Sequence, residues 1–360
     1  MKLHLILSTI ALTGLVACDS SKEAEITPEA PNSYNFDNVD YSGQVTRLDM
    51  LEEFSTYMKT ANTSGTTLNH QQLSDMFSNA NSPFQDADLN GTTKQLRNKC
   101  IASEVATIES WIDSLVTSST SLSEGSNGVA GVISSTTNPS KNYLFAANGY
   151  EYTQLIEKGI MGAVLYYQTT SVYLGDDKMN VDNTTVVEDK GTAMQHHWDE
   201  GFGYLGANNS FPQEITDLRF HAKYCNGRDG MLNTNSKLGN AFIEGRFAID
   251  KGNTDERDVA IAQVRSNYEL VIGASAIHYV NSARSNIADV ALRNHALSEA
   301  YAFVYSLKFN VERSFTTSQI DTMLALFGES LYDISINDMD VIKETLATGL
   351  GIETAVANSL

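Results

Sequence analysis

The stretch Met194–Gly206, MQHHWDEGFGYLG, gathers imidazoles, carboxylates and aromatic rings into a few helical turns. On a helix His197 and Glu200 stand three residues apart and His196 and Glu200 four apart, so either imidazole can share a face with the carboxylate. Both cannot be centred on it. A His and a Glu one turn apart, met by a second such pair from a facing helix, is how bundle cores assemble iron or manganese sites. The same spacing also suits a plain packing role, in which a buried His–Glu hydrogen bond fixes helix register while Trp198 and Phe202 fill core. Both readings stand at this level.

A second pair is present. Aligning HHWDEGFGYL from His196 with HALSEAYAFV from His295 sets His295 over His196 and Glu299 over Glu200. The residues after each glutamate follow one formula, small-aromatic-small-aromatic: Gly201-Phe202-Gly203-Tyr204 and Ala300-Tyr301-Ala302-Phe303. Upstream, GAVLYYQTT from Gly162 matches SAIHYVNSA from Ser275 less closely, and the acidic loop GDDKMNVDNTTVVEDKG of the first copy accounts for the unequal offsets. This pattern predicts an internal duplication. The metal reading then joins His196, His197, Glu200, His295 and Glu299 into one site. Two glycines inside a helix cost roughly 1 kcal/mol each relative to alanine, so a close contact, bend or helix end should accompany Gly201 and Gly203.

The elements that would carry these residues read as helices. Apolar periodicity predicts helices in TRLDMLEEFSTYMKTA, TTKQLRNKCIASEVATIESWIDSLV, EYTQLIEKGIMGAVLYYQTTSVYL and the MQHHWDEGFGYLG block, and in most of the chain after Ser236. Thr316 with Gln319, and Asn337 with Asp340, form capping patterns before the last two long helices. Between Ser118 and Tyr150 the chain turns to Gly, Ser, Asn and Pro, a long loop with a short hairpin expected from GVIS and YLFA. The fold class expected is all-α: two pseudo-symmetric helical bundles, residues 35–206 and 207–360, with that Ser/Gly-rich loop between helices of the first.

Several chemistries are disfavoured. The zincin pattern H-E-x-x-H, the G-x-S-x-G elbow and reactive-cysteine motifs are all missing, so a non-enzymatic role is expected. DADLNG, Asp86 to Gly91, imitates the start of an EF-hand loop but has Arg97 where the bidentate Glu belongs, and reads instead as a turn before a helix. His70 and His221 read as surface residues, and His278, on an apolar stripe, as a core histidine. A net charge of −20 argues against nucleic acid as a partner.

The first seventeen residues, MKLHLILSTIALTGLVA, have a short apolar stretch after Lys2 and end at Cys18 behind Leu15-Val16-Ala17. That is the pattern of a lipoprotein signal peptide (1–17), with Cys18 the acylated N-terminus. Residues 18–34 then read as an acidic, flexible tether. Lipidation places the protein at the outer membrane, facing either the periplasm or the cell surface. With Cys18 lipidated, Cys100 and Cys225 are left in an oxidising compartment where they could pair.

The lipoprotein signal, the helical duplicated body and His197-x-x-Glu200 followed by aromatic and glycine residues resemble the imelysin group. YSGQVTRLDML, LIEKGIMGAVLYYQ, GTAMQHHWDEGFGYLG, AIHYVN and HALSEAYAFVYSLKF resemble an uncharacterised lipoprotein domain family, distantly imelysin-like, over nearly the whole mature chain. Imelysins have a G-x-H-x-x-E motif; Gln195 stands here at the glycine position, so only the H-x-x-E part matches. The resemblance implies two helical bundles and a link to iron-regulated uptake, and by position it supports His197 and Glu200 alone. The expected function is a lipoprotein binding a small ligand such as iron or an iron complex between bundles, with an outer-membrane uptake receptor as partner. The alternatives are a metal-dependent surface peptidase and a structural or glycan-capturing lipoprotein without a metal site.

Overall fold

Apolar residues recurring every three or four positions give this chain its helices, and the computed structural model, which describes residues 29–360, is helical almost throughout. The signal peptide, Cys18 and most of the expected tether lie outside the described residues. In chain order the elements are α1 (Ser42–Lys59), α2 (His70–Ser78), α3 (Ala87–Gly91), α4 (Val105–Ser119), a hairpin of β1 (Gly131–Ser134) and β2 (Asn142–Phe145), and α5 (Tyr152–Ile160). Helix α5 continues through two π-helical stretches, Met161–Tyr166 and Gln168–Tyr173, into one rod. There follow α6 (Asp176–Met179), α7 (Ala193–Gly203), α8 (Phe220–Leu232), α9 (Thr234–Asp250), α10 (Thr254–Ser285), α11 (Val290–Ser306), α12 (Thr317–Leu326), α13 (Ile336–Gly349) and α14 (Thr354–Ala357). No helix among the described residues is long and apolar enough to cross a membrane.

The rod from Tyr152 to Tyr173 organises the core. Its α5 part packs on α1, α4 and α11, its π-helical parts on α7 and α11, and α10 lies against both α9 and α11. In the widened turns Thr169 and Thr170 donate their hydroxyls back to the Leu165 and Tyr166 carbonyls. Another freed carbonyl, that of Ala163, accepts the Ile101 amide. This bond holds Cys100 and Ile101 extended, which is why the helix expected from residue 92 begins only at Val105.

The division into 35–206 and 207–360 does not appear as separate bodies. Pro31–Leu360 is one compact unit in which elements from both sides interleave, α5 with α11 and α7 with α9. Each proposed copy does pair a long helix with the following His-bearing one, the rod with α7 and α10 with α11.

The hairpin forms with Gly131 opposite Phe145 and Ser134 opposite Asn142. Ile133 and Phe145 pack on Ala291, while Asp289 caps α11 at the Leu292 amide and accepts from Ser135 and Thr137. Burial alone would raise the Asp289 carboxyl, but these hydrogen bonds hold it well below the usual range. The capping box at Thr316 and Gln319 is present; that of α13 is Ser335 with Asp338, two residues before the expected pair.

Candidate functional site

Helix α7 starts on a capping box in which Thr192 accepts from the Gln195 amide and the Gln195 side chain accepts from the Thr192 amide. Gln195 therefore does helix-starting work at the position where the imelysin motif has glycine. Beyond it the imidazoles diverge. His197 places Nδ1 3.0 Å from the Lys178 carbonyl and Nε2 3.3 Å from Lys178 Nζ, so it faces α6 and not Glu200. Burial, with the Lys178 ammonium adding to it, holds His197 below the ordinary imidazole range. Glu200 accepts from Gln44 at 2.9 Å and Tyr173 at 3.1 Å, and lies 3.8 Å from His196. The pair that forms is thus His196–Glu200. Asp199 turns the other way, fully buried between the Tyr34 hydroxyl at 2.6 Å and Arg246 Nε at 3.0 Å. Burial pushes its carboxyl up to about 7 despite the nearby guanidinium.

On α11, His295 stands between two buried carboxylates, with Nδ1 2.6 Å from Glu151 and Nε2 3.4 Å from Glu299. Nδ1 is hydrogen-bonded to Glu151 and Nε2 lies within ion-pair distance of Glu299, a setting that favours the imidazolium. Burial opposes that charge, but Glu151 and then Glu299 outweigh it, and the pKa is raised. The Tyr143 ring of β2 stacks on the imidazole at 4.1 Å between centroids, so the hairpin acts as its cover. Glu299 continues to Lys158 at 3.8 Å, Lys158 to Glu157 at 2.6 Å, and Glu157 to Lys59 at 2.5 Å, with Ser55 also donating to Glu157. Charge alternates along the series Glu151, His295, Glu299, Lys158, Glu157, Lys59. Burial disfavours the charged form of Lys158, but Glu157 and Glu299 raise its pKa; burial likewise opposes Glu157, but Lys158 and Lys59 hold its carboxyl far below normal.

The five residues expected to form one metal set therefore lie in two clusters. No hydrogen bond or ion pair found among the described residues joins His196, His197 or Glu200 to His295 or Glu299, and no group of three or more His, Cys, Asp or Glu among the described residues is arranged to hold an ion. Gln44 and Tyr173 take the polar positions around Glu200 and Lys178 those around His197, while Lys158 and Glu151 take those around the second pair. Nor do Cys100 and Cys225 pair: both are free and buried, and burial pushes each thiol up to about 12.

The α11 series opens onto a cleft of about 410 Å³. Glu157, Lys158 and Tyr224 form its inner wall; Glu52, Ser55, Thr56 and Lys59 come from α1, and Leu218, Arg219, Phe220 and Lys223 from the entry to α8. Tyr224 donates to Glu299 at 3.4 Å, which joins the α8 wall to the buried charges. Arg219 is held by Asp49 at 2.7 Å and Glu52 at 2.8 Å. Phe220 has φ of 41°, a left-handed conformation that is sterically costly for an aromatic residue and is kept only where the surroundings enforce it.

The profile of the family described as Domain of unknown function (DUF4856) matches residues 31–353. The chain belongs to that family. The match runs through both halves of the DUF4856 domain without a break, in keeping with its single compact body. No curated protein and no solved structure matches the chain.

Sequence reasoning missed the DUF4856 cleft because α8, FHAKYCNGRDGML, shows no clear apolar stripe. His221, expected at the surface, is fully buried on it, bonded to Tyr268 at 2.8 Å, and burial pushes its pKa down to about 3. His70 is exposed beside Asp113, and His278 bonds the Leu360 carbonyl at 2.7 Å.

Proposed function

We propose that the protein is a cell-envelope lipoprotein, held at the outer membrane by acylated Cys18, that binds a small ligand in the cleft between α1, α5 and α8. One observation carries the binding site: the inner wall of the cleft, Glu157 and Lys158, is the outer end of a paired series of charges that runs inward through Glu299 and His295 to Glu151, with the partly exposed Lys59 at its mouth. Such a series fixes side-chain positions that long, flexible residues would otherwise leave free, and pre-formed polar groups in a concave site are what small-ligand recognition needs. The left-handed Phe220 at the rim is a second mark of a constrained site.

Iron enters this reading as a complex that brings its own donors, since the imidazoles are taken up by carboxylates and by Lys178. The kinship with imelysins, carried by His197-x-x-Glu200, belongs to the same proposal. The peptidase alternative draws no support from this donor arrangement. Thermal-shift titration of the detergent-solubilised full-length protein with iron(II), iron(III), ferric citrate and oligosaccharides tests the reading. A stabilising complex or sugar whose effect is lost in Thr56→Trp, which fills the cleft mouth, is the expected result. Stabilisation by a bare ion, abolished by His197→Ala with Glu200→Ala and untouched by Thr56→Trp, would overturn it in favour of a metal site on α7.

A further inference from the structure

Cations gather at the cleft although the chain carries a net charge of −20. The cleft walls hold Lys59, Lys158, Arg219 and Lys223 with the acids Glu52 and Glu157, and Asp49 and Glu299 behind the walls complete the pairing of Arg219 and Lys158. These cations are not equivalent. Lys158 is buried and committed to Glu157 and Glu299, and Arg219 to Asp49 and Glu52. Lys59 shares Glu157 with Lys158 and keeps 44% of its side chain exposed. Lys223 is exposed, and no ion pair to it is found among the described residues. Glu157, neutralised from both sides, presents little repulsion to an incoming anion.

The entry of α8 adds to this. Residues 218–220 line the cleft, while the amides of Arg219 and Ala222 are given to the Gly206 and Leu205 carbonyls, so the helix entry is pinned beside Lys223. Phe220 and Tyr224 set aromatic surface beside these charges.

We infer that the ligand is a small organic anion bearing carboxylate or phosphate groups, received by Lys223 and Lys59, with Phe220 and Tyr224 against its carbon skeleton. This deepens the cleft reading and rests on it. Lys158 is a positioning residue, holding Glu157 and Glu299 so that Lys59 and Tyr224 keep their places.

Isothermal titration of the full-length protein in detergent, against citrate, ferric citrate, glucose 6-phosphate, inorganic phosphate and neutral glucose, tests the assignment. At least one anion should bind, weaken on going to about 0.5 M salt, and lose about tenfold in affinity in Lys223→Gln, a loss typical of one charge-assisted contact, while the melting temperature stays that of wild type. Binding by the carboxylates alone or by the phosphates alone identifies the group. If glucose binds in the cleft, shown by its loss in Thr56→Trp, and Lys223→Gln and Lys59→Gln leave it unchanged, the anion assignment falls and the cleft reading stands. If none of the probes binds, or binding survives Thr56→Trp, both fall.

Discussion

His295 keeps its proton because Glu151 and Glu299 face its two nitrogens, and this sets a pH dependence. Its folded pKa lies above the ordinary value of about 6.5, so the stability it contributes is complete below that pH and fades as pH rises through the folded value. Urea denaturation of the wild type from pH 6 to pH 9 should show stability falling with pH. His295→Gln, which leaves two buried carboxylates without their cation, should lose about 3 kcal/mol at pH 6 and show a flatter profile. Equal slopes in the two proteins would remove His295 from this role. His197 gives no such contribution, because burial, helped by the Lys178 ammonium, outweighs the Lys178 carbonyl that would favour the charged ring and holds its pKa below the ordinary value.

At the scale of elements, the two glycines of α7 prove unlike. A Cβ on Gly203 would stand 2.5 Å from Tyr41 Cβ and 3.0 Å from Gln44 Cβ, so α7 rests on the start of α1 there with no room for a methyl group. On Gly201 the nearest atom would be 3.5 Å away, an ordinary contact. Gly203→Ala should therefore cost about 1–3 kcal/mol through overpacking, and Gly201→Ala should gain up to about 1 kcal/mol from helix propensity. Chemical denaturation of both variants checks the pair, and a cost in both would mean that α7 has no slack on either side. The close contact anticipated for these glycines thus exists at one of them. The pairing Gln44 makes with Glu200 depends on that approach, so the contact at Gly203 also sets the geometry of the α7 cluster.

At the scale of the molecule, the rod from Tyr152 to Tyr173 needs α11, which lies on the other side of the expected boundary at Gly206. Residues 35–206 expressed alone would expose the apolar face that α5 buries against α11, and residues 207–360 would lose their rod. Neither fragment should give a cooperative urea transition or a near-ultraviolet circular dichroism signal, whereas the intact 31–360 body should unfold in one step. A fragment that folds cooperatively by itself would restore the two-bundle description.

Local rules reached the helices, the β1–β2 hairpin and the Thr316–Gln319 cap, because helical periodicity, turn chemistry and capping act within a few residues; they left His196 and His197 both open to Glu200, and the resemblance favoured His197, the one that turns to Lys178. The same rules expected His278 in the core from its apolar stripe, where it is in fact half-buried against the Leu360 carbonyl, and could not place His221, whose helix has no clear stripe to read. Which helix faces which is decided over long separations: Glu151 and His295 are 144 residues apart and Glu157 and Ser55 102, and no spacing in the chain announces either contact. The sequence by itself determined that two His–Glu pairs would lie along helices. Only the tertiary structure decided that one would be enclosed by Gln44 and Tyr173, and the other extended through Lys158 to a charged cleft, because packing and the desolvation of charge choose partners by space and not by order.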